Sequence, residues 1–532
     1  MFRQWICGGL CAAAATIGQA GEKKTGHRVE GLRLGDDTTV IQSPLNDLGT
    51  PDYIAALNER LARDVAPADN FWTAFCETLP RTHLGDQFFE KLVTCPGFER
   101  ACSIPWTPYC PDGTDRTKAN AELDAATTRA WKSDELPLMA AWVNSNQAAM
   151  TRIAEAARRP KEYAPLIAGS DGETMAHVLL PHVQQTRDAA RLFTARAFLA
   201  LGEGRDEDAW QDVLTVYRIS KHLRHSPFVI GTLVGLATSS VARIPTEAVI
   251  ADRNSTPEEL ARRWRELAPL LDCDAQERKW LIGERYSTLD LTLAIRSGRI
   301  RPKELIGDIK MLSTSGGAAE EATLQIDFSK ARESFQSMML RLGDVNESLA
   351  YTNRYHDSIA AAFGESEYLA RKAALQAAQD QFVDGRNPDD IGQVTAAFFL
   401  GGADAVGSIA KASITHHFAA AYLQCNNAEA RQIARSRLLH AAFAAELFSR
   451  SAGNDLAGSD ALDEAIQVYA ASSGVTLPPV DDPHSGSPFR LVREADRLVI
   501  YGVGENGKSD GGKTFGEGEG CDDLVVVLKR SP

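Results

Sequence analysis

The sequence predicts a mainly α fold: a multi-helix body with helical hairpins of tetratricopeptide-like texture, then a small C-terminal α+β module built on an antiparallel sheet. Three observations carry this. Apolar residues recur at three- and four-residue spacing through most of the chain, the period of one helix face. Aromatic residues make up only 7%, and strand-like runs rich in β-branched residues cluster after residue 488. The length, 532 residues, exceeds what one core of ordinary domain size requires, so more than one unit is expected. At 44% hydrophobic and 24% charged the composition is globular. With 71 acidic against 57 basic residues the net charge is −14, which argues against a nucleic-acid partner, because that needs a basic surface to displace counterions.

Residues 1–20 have the three parts of a cleaved signal peptide: Arg3, an uncharged run from Trp5 to Ile17, and small residues at Gly18-Gln19-Ala20. The run is shorter than the roughly 20 apolar residues of a spanning helix. The expectation is an exported protein, periplasmic or extracellular, with no transmembrane span in the mature chain; Cys11 after Gly8-Gly9-Leu10 leaves a lipoprotein as the alternative. Residues 21–50 read as a flexible leader with one short extended piece at Thr38–Ile41.

The helical body is expected over 51–424. Its first helix carries Ile54, Leu57 and Leu61, and Asp69 is read as the cap of a second. Residues 94–114 hold four prolines and form an irregular loop. Four of the nine cysteines, Cys76, Cys95, Cys102 and Cys110, fall in and before it. In an exported chain such clustering points to disulfides, two within this group, of undetermined connectivity. Ser133 is read as opening the next long helix. Residues 183–201 and 206–224 form an antiparallel hairpin turned by Gly202-Glu-Gly-Arg205. The uncharged run Ser226–Ala242 places Gly231, Gly235 and Ser239 four apart, a pattern that lets helices approach closely, and reads as a buried helix. Thr256-Pro-Glu-Glu259 is a capping box with proline at the first helical position. Helices are expected at 274–297, 327–348, 350–363, 365–383 and 391–424, separated by breaks at Gly298–Gly317 and Asn387-Pro-Asp-Asp.

Residues 425–532 form the terminal module. A stem helix over 427–450 and a short one over Asp460–Ala471 precede Leu477-Pro-Pro479. Strands are expected at Phe489–Val492, Arg497–Tyr501 and Leu524–Leu528, with a Gly-rich acidic loop from Gly502 to Asp523. Calcium takes six to eight oxygens on a bendable loop. Asp510, Asp522 and Asp523 supply charge there, Asn506 and Ser509 further oxygens, and the glycines let carbonyls turn inward; the alternative is a solvated acidic loop.

Three motifs in order give this module a resemblance: Asp482-Pro-His-Ser-Gly-Ser-Pro-Phe489, Leu498-Val-Ile-Tyr-Gly-Val-Gly-Glu-Asn-Gly507, and Gly511-Gly512 leading to Asp522-Asp523-Leu-Val-Val. They resemble the C-terminal region of type II secretion major pseudopilins, over roughly the last 100 residues. The resemblance implies a stem helix packed on a small sheet and a terminal loop that binds calcium. The pattern departs where Gly453-Asn-Asp-Leu follows the stem helix in place of the usual Gly-Arg-Tyr-Pro. The whole chain also resembles a group of uncharacterised exported bacterial helical proteins, which implies a fold but no activity.

Elsewhere the chemistry is sparse. His222 and His225 lie three apart on a helix, with His177 and His182 upstream; they are read as surface residues or, with a facing carboxylate, as metal ligands. Glu277, Glu284 and Asp290 share a helix and read as a charged solvent face. No HExxH, GxSxG, Walker or post-strand GxGxxG pattern is present. The expected function is therefore a non-enzymatic exported scaffold that binds a protein partner. The alternatives are an exported hydrolase whose site assembles in the helical body and an accessory component of a type II secretion system.

Overall fold

A computed structural model describes residues 26–169, 174–252, 255–271, 278–300, 344–383, 402–452, 456, 458–473, 481–494, 497–515 and 517–529. The export signal, Cys273, Glu277, most of the Gly298–Gly317 break, the Asn387 connection and Leu477-Pro-Pro479 lie outside the described residues.

Among the described residues are sixteen α-helices. The first seven are α1 (Tyr53–Ala62), α2 (Phe71–Glu77), α3 (Arg81–Leu84), α4 (Asp86–Leu92), α5 (Arg116–Ala126), α6 (Pro137–Ser145) and α7 (Gln147–Ala157). A two-residue antiparallel pair, β1 (Ile167–Ala168) with β2 (Val178–Leu179), precedes α8 (Pro181–Gly202), α9 (Asp206–Arg224), α10 (Val229–Ala251), α11 (Pro257–Leu271) and α12 (Lys279–Ser297). Then come α13 (Val345–Ala362), α14 (Tyr368–Val383), α15 (Gly402–Ala452) and α16 (Ser459–Ser473). The chain ends in an antiparallel meander of β3 (Arg490–Arg493), β4 (Arg497–Gly502) and β5 (Leu524–Lys529), with Leu491 opposite Ile500 and Ile500 opposite Val526. The protein is mainly helical with a small C-terminal antiparallel sheet.

The centre is α8, α9 and α10, packed on one another. The α8–α9 hairpin turns at residues 203–205, as its glycines predict. Arg196 and Asp212 join its two arms through paired bonds of 2.8 and 2.5 Å. Helix α10 leans on α9 at Gly235, whose added Cβ would sit 2.9 Å from the Leu223 Cβ, and Ser220 Oγ donates to Gly235 O at 2.8 Å. One turn further along, Ser239 meets Gln432 of α15 at 2.6 Å. The small residues thus serve two contacts. By length and composition alone α10 could cross a membrane, and 61% of its most apolar window is buried inside the fold.

Helix α15 is the long spine, touching α10, α11, α14, α16 and the sheet. It runs 51 residues without a break, so the boundary expected at 424/425 falls inside one helix. The sheet docks against α10 and α15, burying Leu498, Ile500, Val526 and Leu528. Its edge strand β5 faces polar groups of α10: Arg243 donates to Val525 O at 3.1 Å and Glu247 accepts from Val527 N at 3.4 Å. Those side chains occupy backbone groups that an edge would otherwise leave open.

Several local expectations are corrected. Residues 26–50 form packed turns rather than a loose leader: Thr38 and Thr39 are fully buried, and Asn353 of α13 donates to Thr38 O at 2.7 Å. Thr38–Ile41 is part of a turn, not an extended piece. Helix α2 is capped by Asn70, which accepts from Trp72 N at 3.1 Å, not by Asp69. Helix α6 starts at Pro137 with no cap of its own; Glu122 of α5 accepts from Leu138 N at 2.9 Å instead. The Thr256–Glu259 capping box closes in both directions, at 2.7 and 3.2 Å.

The expected disulfides are not formed: Cys76, Cys95, Cys102 and Cys110 are all free thiols. Backbone bonds and aromatic packing hold this region instead. Cys102, Ile104 and Trp106 donate their N–H groups to Cys76, Glu77 and Thr78 at 2.8, 2.8 and 3.0 Å, satisfying carbonyls at the end of α2. Phe98 and Trp106 bury beside them. The Cys76 thiol is turned into the core, where burial pushes its pKa far up; burial pushes Cys102 up to about 11.

The acidic residues of α12 are buried rather than solvated. Glu284 caps α10 by accepting from Val229 N at 2.8 Å, and burial pushes its carboxyl up to about 7. Asp290 accepts from Met175 N at 2.8 Å and pairs with Arg299 at 2.9 Å.

Candidate functional site

Two places among the described residues bear on the side chains singled out by the sequence. The first is the acidic loop between β4 and β5. Four of the five residues expected there come together. Asp523, 2% exposed, accepts from Asp510 N at 2.9 Å and Gly512 N at 2.8 Å through one oxygen, Oδ2. Asp522 Oδ2 accepts from Asn506 N at 3.1 Å. Asp510 Oδ2 accepts from Asp522 N at 3.0 Å and from Asn506 Nδ2 at 3.2 Å, while Asn506 Nδ2 also reaches Gly520 O at 2.9 Å. Ser509 stands exposed, and no hydrogen bond ties its hydroxyl to the other four.

The loop folds this way because its glycines permit it. Gly512 sits at φ +82°, which turns its N–H onto Asp523. Gly504 packs directly on the Asp522 carboxylate, and a Cβ there would overlap it. Asp522 and Asp523 each commit Oδ2 to the backbone, which leaves Asp522 Oδ1 and Asp523 Oδ1 buried without a partner. A buried carboxylate oxygen left bare costs free energy, more than a neutral group would. Burial pushes the Asp523 carboxyl above its ordinary range. The charges of Asp510 and Asp522 add to the shift, and the amides of Gly512 and Asp510 oppose it. Among the described residues no group of three or more His, Cys, Asp or Glu side chains is arranged to hold a metal ion. The oxygens left over for a cation are the bare Oδ1 atoms of Asp522 and Asp523 and the loop carbonyls. That donor set suits a hard cation such as calcium.

Sequence reasoning missed the residue that seats the module. Asp482, 1% exposed, accepts from Val503 N at 2.7 Å and from His484 N at 3.0 Å, joining the 481–488 turn to the end of β4. Its signal was the Asp-Pro-x-Ser-Gly turn itself. Beyond it, Glu505 binds Asn427 and Arg431 of α15, both at 3.0 Å, so the loop's first residues are tied to the spine.

The second place is the junction of α9, α12 and the segment after α7. A cavity of about 30 Å³ is lined there by Trp72, Glu162, His182, His222, His225 and Lys279, among others. The facing carboxylate that the His222/His225 spacing asked for is Glu162. His222 Nδ1 lies 3.4 Å from one of its oxygens, and His225 Nδ1 and Lys279 Nζ lie 3.3 and 2.7 Å from the other. Burial alone would raise the Glu162 carboxyl; hydrogen bonds from His222 and His225 and the charges of His225 and Lys279 overcome it and hold it well below the usual range. His182 faces Trp72 edge-on at 4.6 Å, and burial pushes it down to about 3, so it is neutral. His177 lies apart, bonded to Thr174.

The chain matches no family model, no curated protein and no solved structure.

Proposed function

We propose that this protein is an exported, non-enzymatic helical scaffold that binds a protein partner, and that its pseudopilin-like terminal module is fastened by a calcium ion. The observation that carries this reading is the pair of buried, unpartnered oxygens on Asp522 and Asp523. Asp510 and Asn506 shape the loop around them, and the ion would neutralise the crowded carboxylates.

The test is thermal. The melting temperature of the full-length protein, followed by circular dichroism, rises in millimolar calcium relative to chelator by several degrees. Substituting Asp522→Asn together with Asp523→Asn abolishes the rise. No calcium shift in the wild type ends the calcium reading. Because Asp523 holds its proton more tightly than an ordinary carboxyl, the folded loop without metal is favoured at low pH and loses that advantage as pH rises through the raised value. The calcium shift is accordingly larger at pH 7.5 than at pH 4.5.

A second reading, an exported hydrolase, draws on the histidines converging with Glu162. The cavity beside them, about 30 Å³, holds a water or two but no substrate, so the scaffold is preferred. Membership of a secretion apparatus would show as co-fractionation of the processed protein with that machinery.

A further inference from the structure

We propose that Glu162, His222 and His225 form a proton-operated clasp, closed when the imidazoles are charged and loosened when they lose their protons. This is independent of the calcium reading, since it involves the opposite end of α9 from the hairpin turn and none of the terminal module.

The geometry of His222 carries the inference. Nδ1 faces Glu162 Oε2 at 3.4 Å, and Nε2 faces the Ala157 carbonyl oxygen at 3.2 Å. Neither partner has a hydrogen to give. A neutral imidazole has one N–H and one lone pair, so in that form one nitrogen would present its lone pair to an oxygen; imidazolium donates at both. The ring cannot easily swing away, because it is stacked flat on Phe71, centroids 4.5 Å apart and planes 5° apart, with its side chain 8% exposed. His225 presents Nδ1 to Glu162 Oε1 at 3.3 Å, and its side chain is 22% exposed, which gives protons a route to solvent.

The groups facing the Glu162 carboxylate are His222 and His225 from the end of α9 and Lys279 from the start of α12. His182 of α8, Tyr163 and Ser226 add to the polar wall of the cavity. His222 also sits in the last turn of α9, where the helix dipole favours a cation. One carboxylate therefore ties three pieces of chain together: the 158–166 segment, the end of α9 and the start of α12. Gly283 keeps α12 close, since a Cβ there would overlap the Pro227 carbonyl in the turn that follows His225.

The sign follows from these partners. Glu162 has a depressed pKa, so its contribution is present above its ordinary value of 4.5 and is lost as pH falls through the depressed one. Histidine is the side chain whose charge changes between mild acid and alkali, and with its second proton goes the second N–H that this geometry uses. The clasp is therefore tightest in mild acid. With both imidazoles neutral, Lys279 is the one cation among the described residues left facing Glu162, a His222 lone pair meets an oxygen, and the junction opens around a cavity that already has room for water.

The test is hydrogen exchange by mass spectrometry on the full-length protein at pH 5.5 and 8.0, corrected for the intrinsic pH dependence of exchange. The expected result is about tenfold lower protection at pH 8.0 in peptides covering 158–166 and 222–228, with peptides from the middle of α15 unchanged. In Glu162→Gln, which preserves shape, and in His222→Gln, protection in those two peptides no longer differs between the two pH values. Equal protection at both pH values in the wild type overturns the proposal, as does a pH response that survives in both variants. So does restoration of wild-type protection at pH 8.0 by zinc chloride but not by zinc chloride with EDTA, since the cation between the rings and Glu162 would then be a metal rather than protons.

Discussion

Single atoms decide most of what is distinctive here. Gly504 is required because its Cα lies against the Asp522 carboxylate, leaving no volume for a methyl group. Gly504→Ala should destabilise the protein by about 1–3 kcal/mol, the usual cost of overpacking, and should blunt the calcium shift in melting temperature. Urea unfolding with and without calcium measures both; an unchanged midpoint contradicts the close packing. Asn506, Asp510, Asp522 and Asp523 were legible in the sequence because they lie within one short loop, where spacing alone brings them near. Ser509 was named on the same ground and turned outward. Glu162 was not legible as a partner of His222: the two are 60 residues apart, and nothing local marks one carboxylate among 71 acidic residues. The histidine spacing showed half of the cluster and only packing supplied the rest.

At the scale of elements, the start of α11 carries its own signal, whereas the starts of α6 and α10 are capped from other helices. Thr256 and Glu259 satisfy each other's backbone across three residues, so the start of α11 was visible. The starts of α6 and α10 depend on Glu122 and Glu284, which belong to other helices. Glu284 and Asp290 look like ordinary surface charge in the sequence; their burial follows from which face α12 turns inward. The same logic governs the hairpin. Asp212 is 3% exposed and holds Arg196 by two bonds. Asp212→Ala should cost about 2–3 kcal/mol, toward the low end for a broken buried pair because the Arg196 side chain keeps 22% exposure. The Arg196→Ala, Asp212→Ala double variant should lose less than the sum of the two single losses; additivity in chemical denaturation would mean that the pair does not interact.

For the whole molecule, the decisive relation is the seat of the terminal module on the spine. Glu505 bonds to Asn427 and Arg431, Arg437 donates to Asp481 O at 2.5 Å, and His484 meets Tyr368 edge-on at 5.0 Å. Glu505→Ala removes the charged link nearest the acidic loop. It should speed limited proteolysis within residues 503–523 several-fold while leaving the α8–α9 hairpin resistant; equal cleavage rates would show that the loop's order does not depend on this contact. The sequence by itself determined the helical class, the hairpin, the three strands and the membership of the acidic loop. Each of these rests on periodicity, turn chemistry or proximity along the chain, which are local properties. Only the tertiary structure decided that 26–50 packs, that the four clustered cysteines stay as thiols beside a backbone-bonded loop, that the expected module boundary lies within a continuous helix, and that a single carboxylate gathers two histidines and a lysine. Those outcomes depend on which distant groups share a buried space, and burial is set by the packing of the whole chain rather than by any stretch of it.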